Sequence, residues 1–189
     1  FYAWMNKIGL STEGGADGVT VLKQSFDVQP LIQKQADCIS VMTYNEYGQA
    51  LAAGYSPDNL TIFNYSELGN DLLEDGLYVM EDKLKDAAFV DTMAKFVKAS
   101  MKGWDYARAN NDEAAQIVVD SDATGAAAID HQKRMMSEIS KLTEGSDGSL
   151  DVAAAERTAA TLMKGGSDPV ITKAPSGAWS DVVTKAAMQ

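Results

Sequence analysis

Two apolar patterns alternate along the first 80 residues of the chain. Four short runs are rich in β-branched or aromatic residues, which is typical of strands: Val19–Leu22, Cys38–Thr43, Leu60–Tyr65 and Leu77–Met80. Between them, helical signals occur over about 28–34, with Asp27 as a candidate N-cap, and over about 47–53, before Gly54. Strand, helix and strand at this spacing predict βαβ units, and hence an α/β fold with a parallel sheet.

The rest of the pattern is helical. Residues 1–10 form most of an amphipathic helix, and from residue 81 onward apolar side chains recur at helical spacing. The spacing predicts further helices over about 89–110, 113–119, 124–142 and 152–164, with Asp151 as the N-cap of the last one, and a final helical turn.

The most informative stretch is Ala36–Tyr47, because a predicted buried strand ends there in polar and aromatic residues. Tyr44, Asn45 and Glu46, called here the corner, would follow the carboxyl end of that strand, where open α/β sheets bind ligands. A tyrosine stacks on a flat heterocycle, Asn45 offers a donor and an acceptor, and Glu46 accepts paired N–H bonds. The structural alternative is that Asn45 and Glu46 cap the next helix while the tyrosines pack.

Composition excludes some classes of partner. There are 16 basic and 27 acidic residues, which gives a net charge of −11, so nucleic acid and anionic membranes are poor partners. Cys38 is the single cysteine and excludes an internal disulfide. The chain has no apolar run of about 20 residues, and its first residues lack the pattern of a signal peptide.

Other chemically suggestive groups are weaker. His131, the one histidine, has no serine, cysteine or acid at a catalytic spacing and is interpreted as a surface residue of a helix. Asp71, Glu74 and Asp75 lack the alternating pattern of a calcium loop. The glycines at 14, 15 and 18 fit no phosphate-binding motif and predict a turn. The sequence therefore predicts no catalytic residue, no metal and no cofactor.

Four segments carry a family resemblance. They are F-Y-A-W-M-N-K-I-G-L (1–10), F-D-V-Q-P-L-I-Q-K-Q-A-D-C-I-S-V-M-T-Y-N-E-Y (26–47), L-E-D-G-L-Y-V (73–79) and F-V-K-A-S-M-K-G-W-D-Y-A (96–107). Together they resemble the NMT1/THI5-like group, the substrate-binding proteins of ABC importers for thiamine pyrimidine precursors, nitrate, sulfonates and taurine. The resemblance extends from residue 1 to about residue 180.

The resemblance implies a type II periplasmic binding-protein fold, with two α/β lobes around a cleft. Residues 1–76 would form the second lobe, and residues 77–189 would return to the first lobe, mainly as helices. It also implies that roughly the N-terminal half of such a protein is absent. We expect a chain without that half to expose sheet edges and apolar surface, and therefore to self-associate.

The resemblance further implies a periplasmic binding protein that is not an enzyme and that delivers its ligand to an ABC transporter permease. Glu46 would pair with the aminopyrimidine edge of a hydroxymethylpyrimidine-like ligand, Asn45 and Tyr44 would lie beside it, and Phe26 would form a further wall. A carboxylate in the cleft would repel an anion.

Two alternatives remain open. If Glu46 turned away from an electropositive cleft, a small anion such as a sulfonate, taurine or nitrate would be the ligand. An enzyme similar to the pyrimidine synthases of this fold would need a histidine and iron, and His131 lies far along the chain from the corner.

Overall fold

The computed structural model of the protein describes residues 1–165 and 169–189. The α-helices of this part of the chain are α1 (Tyr2–Ile8), α2 (Gln29–Ile32), α3 (Glu46–Ala52), α4 (Ala87–Ala109), α5 (Asn111–Ser121), α6 (Ile129–Leu142), α7 (Val152–Leu162) and α8 (Val182–Ala187). Two 3₁₀ helices cover Pro57–Asn59 and Glu81–Lys85.

The helices predicted from sequence are confirmed, most closely where the apolar period is long. The predicted cap of α7 is also confirmed, because the Asp151 carboxylate accepts a hydrogen bond from the Ala154 N–H at 3.0 Å. Two predicted boundaries were wrong. α2 is one short turn, and α6 begins at Ile129 instead of near Thr124, because the Asp122 carboxylate accepts the N–H groups of Thr124 and Ala127 in a preceding turn.

The predicted α/β fold is wrong for the part of the chain that the structure describes. Its residues are 49% helical and 2% strand, and they form no sheet. The β-pairing is confined to isolated bridges between Ser11 and Gly18 and between Glu13 and Thr20. The α/β type II binding-protein architecture, with its lobes built on sheets, is therefore not seen here.

The four apolar runs show why the prediction failed. Each has the composition of a strand, but a strand needs the backbone of a neighbour for its hydrogen bonds, and none of these runs forms a ladder among the described residues. Many of their large side chains are exposed, including Tyr78 at 84% and Met80 at 74%. Residue preference marks a segment as able to pair, whereas the presence of a partner decides whether it does.

A side chain takes the place of a strand neighbour in the run Cys38–Thr43. The Gln24 amide accepts from the Ser40 N–H at 3.1 Å and donates to the Ser40 carbonyl at 2.8 Å. The same amide nitrogen donates to the Asp27 carbonyl at 3.1 Å. Gln24 therefore satisfies both backbone polar groups of Ser40, as an adjacent strand would.

The described chain divides into two units. The first unit is assembled from 1–23, 61–86 and 149–182; in it, Trp4 packs against Phe63 and Tyr65, with ring centroids 5.0 and 5.9 Å apart. The predicted lobe boundary between residues 76 and 77 stays a prediction.

The second unit contains 24–60, 87–148 and 183–189. Its core includes Ala94 and Val97 of α4 and Ala187 of α8, with Met101 packed against them. α4, α5 and α6 pack on one another, α3 packs on α6, and all four predicted ligand-binding residues lie in this unit.

Candidate functional site

The corner is built where the run Cys38–Thr43 enters α3. Asn45 is the N-cap residue of α3 by position, but its side chain makes no capping hydrogen bond, and Glu46 is the first helical residue. The Glu46 side chain folds back toward the run, so that Oε2 accepts from the Met42 N–H at 2.8 Å and Oε1 accepts from Asn45 Nδ2 at 3.1 Å. The residue is only 5% exposed. The predicted ligand-reading carboxylate is therefore buried and already holds two hydrogen bonds.

Gln49 joins Phe26 to the corner. Its Nε2 donates one hydrogen bond to Asn45 Oδ1 at 3.3 Å and another to the backbone carbonyl oxygen of Phe26 at 3.4 Å. The Phe26 residue is 89% exposed, so its ring is open to a planar partner. Tyr44 is half-buried at the start of the corner.

A second helix reaches the corner from far along the chain. His131 of α6 is half-buried, and its Nε2 lies 2.9 Å from Asn45 Oδ1. His131 does lie on a helix and is partly exposed, but the sequence did not predict its contact with the corner. The imidazole contacts one of the residues that the sequence singled out for binding.

Arg134, one turn after His131, lies against α3. A Cβ atom at position 48 would come within 2.7 Å of Arg134 Nε and 2.9 Å of its Cδ, so Gly48 leaves the space that the arginine side chain fills. The guanidinium carbon lies 5.7 Å from the Tyr47 ring centroid, within cation–π range. Its Nε is buried and has no hydrogen-bond partner within the described residues.

The sequence predicted the corner and Phe26 as ligand-binding residues, which stays a prediction, and it did not predict that His131, Arg134 and Gln49 lie beside them. The spacing of 131 and 134 puts both side chains on one face of a helix, and this was the available signal. Nothing local indicated that this face would lie against α3, because that contact joins residues more than 80 positions apart.

The other chemical candidates gain no support. Across residues 1–165 and 169–189, no three histidine, cysteine, aspartate or glutamate side chains are grouped as metal ligands would be, and this includes the acidic residues at 71, 74 and 75. The same ranges contain no helix with the length and apolar character of a membrane span.

Comparison with known proteins identifies the family of the chain. The family model described as NMT1/THI5 like matches residues 4–114, more than half of the chain. The chain belongs to the NMT1/THI5-like family. This family includes extracytoplasmic solute-binding proteins, which confirms the resemblance at the level of the family. No curated protein and no solved structure matches the chain.

Within this NMT1/THI5-like chain, the matched residues include Phe26 and the whole corner. His131 and Arg134 lie beyond the matched range, although they contact it through Asn45 and Gly48. The family match therefore covers the residues predicted from sequence, whereas α6 enters the candidate site through the tertiary structure alone.

Proposed function

We propose that this chain acts as an extracytoplasmic solute-binding protein that delivers a hydroxymethylpyrimidine-like thiamine precursor to the permease of an ABC importer. The family supports binding of a small molecule, and the grouping of Phe26 with Tyr44, Asn45 and Glu46 supports a single ligand site. The observation that carries the proposal is the Gln49 side chain, which contacts both Phe26 and Asn45. The function needs no chemical step.

Recognition at this site would use Glu46 as the acceptor of ligand N–H groups. A carboxylate offers about four lone-pair directions, of which Met42 and Asn45 occupy two. The remaining directions suit the amino edge of a pyrimidine, and the exposed Phe26 ring supplies a stacking face. Because Glu46 is buried, ligand binding includes a local opening of the corner.

One observation favours a second candidate function, the binding of a small anion such as a sulfonate or nitrate. Glu46 is turned toward the Met42 backbone, while the guanidinium of Arg134 lies near the corner with its Nε unpartnered among the described residues. Arginine binds oxyanions through paired N–H donors. In this function Arg134 replaces Glu46 as the residue that reads the ligand.

Calorimetric titration with hydroxymethylpyrimidine, taurine and nitrate separates the two functions. We expect the pyrimidine to bind, and Glu46→Gln to weaken its binding by about 1.5–3 kcal/mol, the range for a hydrogen bond to a charged group. Glu144→Gln is the matched control, because this exposed residue lies outside the site. Phe26→Ala should also weaken pyrimidine binding through loss of the stacking face.

Two results would change the conclusion. If an anion binds with an affinity that Glu46→Gln leaves unchanged and Arg134→Gln abolishes, the ligand is the anion and not the pyrimidine. Formation of a pyrimidine product by the chain in the presence of ferrous iron would contradict a purely binding function.

A further inference from the structure

We propose that His131 is a positioning residue that fixes the orientation of the Asn45 side chain and thereby sets the hydrogen-bond pattern offered to a ligand. This inference rests on the proposed function, because it concerns the ligand site at the corner. It starts from the contacts of three side chains: Glu46, Asn45 and His131.

The orientation of Asn45 follows first from Glu46. A carboxylate is an acceptor only, so the Asn45 atom that lies 3.1 Å from Glu46 Oε1 has to be the amide nitrogen. The reverse orientation would set the amide oxygen against the carboxylate and repel it. Asn45 Oδ1 therefore faces away from Glu46.

The protonation of His131 follows from Asn45. Asn45 Oδ1 can only accept, and it lies 2.9 Å from His131 Nε2. The Nε2 atom therefore carries a proton, so the tautomer that fits this contact is the one protonated on Nε2. Gln49 Nε2 donates to the same oxygen at 3.3 Å, so two donors hold Asn45 Oδ1 in place.

Packing keeps His131 at this distance. Gly48 of α3 has no side chain, which lets the Arg134 side chain of α6 lie across it. A Cβ atom at position 48 would also lie 3.7 Å from His131 Cε1, so the imidazole packs against the same glycine. The close contact between α3 and α6 therefore positions the histidine next to Asn45.

This arrangement specifies a chemical class of ligand. With both lone pairs of Oδ1 engaged, Asn45 offers a ligand only its remaining N–H, while Glu46 offers only acceptors. The corner thus presents one N–H donor beside the remaining lone pairs of the Glu46 carboxylate. An aminopyrimidine edge has the complementary pattern, an amino N–H next to a ring nitrogen, whereas nitrate lacks an N–H group.

The first test needs no ligand. Nitrogen NMR of the imidazole is unambiguous, because His131 is the only histidine of the chain. We expect the proton on Nε2 in the neutral ring, and a shift of the tautomer balance toward Nδ1 in Asn45→Leu, which removes the acceptor. A ring protonated on Nδ1, or a tautomer balance indifferent to Asn45→Leu, would overturn the inference.

The second test measures hydroxymethylpyrimidine affinity in His131 variants. We expect His131→Leu to weaken binding about tenfold, and His131→Gln, which retains an N–H donor, to stay within about threefold of the original. Ser137→Ala, an exposed change on α6, is the control. Equal affinities for the Gln and Leu variants would overturn the positioning role.

The two tests separate the inference from the proposed function. If the unaltered chain binds no pyrimidine, the proposed function fails, and imidazole NMR alone decides whether His131 orients Asn45. If His131→Leu fails to fold, the Gln variant and the NMR experiment on Asn45→Leu still decide the question. Equal free energies of unfolding for the His131 variants would show that an affinity loss does not arise from unfolding.

Discussion

The helices α4, α5 and α6 and the four apolar runs were both predicted from their apolar patterns, but with opposite outcomes. The helices formed, although α6 begins later than predicted, and they bury apolar side chains, for example Val97 at 6% and Ala115 at 0% exposure. The runs formed no ladder among the described residues, and Val41 remains 39% exposed. A helix satisfies its own backbone within four residues, whereas a strand depends on a second segment.

The strongest test of this contrast exchanges a buried and an exposed valine for the same charge. Val97→Asp would place an unpaired carboxylate in the core of the second unit and should lower the free energy of unfolding by about 3 kcal/mol or more. Val41→Asp, in the run Cys38–Thr43, should change it by about 0.5 kcal/mol at most. Denaturant unfolding followed by circular dichroism measures both.

Similar losses for the two variants would contradict the contrast. They would mean that the run around Val41 is buried in solution, as a strand covered by a sheet would be. The paired design removes the effect of the charge on the unfolded chain, because both variants carry the same substitution.

A sharper test concerns the side chain that replaces a strand neighbour. Gln24→Ala removes the amide that bonds Ser40 and Asp27, and should lower the free energy of unfolding by about 1–2 kcal/mol. The loss stays modest because the freed backbone groups of Ser40 are exposed and regain hydrogen bonds to water. The exchange rate of the Ser40 amide proton should rise in the same variant. Gln33→Ala, an exposed glutamine whose contacts are with other glutamines, is the control and should cost less.

An unchanged exchange rate at Ser40 in Gln24→Ala would show that another group holds the run. Backbone pairing in solution is the alternative, and it would also protect the amide proton of Cys38, because alternate amides of a strand point to the same side.

The smallest effect concerns the turn between α5 and α6. The Thr124 hydroxyl, followed by the N–H groups of Ala127 and Thr124, lowers the pKa of the Asp122 carboxyl to about 2 from its ordinary 3.8. Because the pKa is lower in the folded state, the turn is stabilised fully above pH 3.8 and loses this stabilisation as the pH falls through about 2.

Thr124→Val should therefore raise the pKa of Asp122 toward 3.8, as measured by carboxyl NMR titration. Thr143→Val, a threonine at the other end of α6, should leave the titration of Asp122 unchanged. A titration of Asp122 that is the same in both variants would show that the Thr124 hydroxyl is not its main partner.

The candidate site, like the fold, has one part that the sequence predicted and another that it did not. The sequence predicted the corner and Phe26 as binding residues, because aromatic and polar residues after an apolar run are a local signal, and this stays a prediction. The sequence could not show that Glu46 turns toward Met42, or that Asn45 is held by His131, since these are choices among several available partners. The packing of α6 on α3 brings His131 next to Asn45, and Gly48 leaves the space for this packing.

The sequence by itself determined the family, most of the helices and the Asp151 cap of α7, because each depends on a few neighbouring positions or on a recognisable motif. The tertiary structure decided that the apolar runs form no sheet in the described chain and that α6 supplies the second side of the candidate site. The physical reason is the same for both. Strand pairing and side-chain orientation depend on the partner that a segment meets, and that partner is set by contacts distant in sequence.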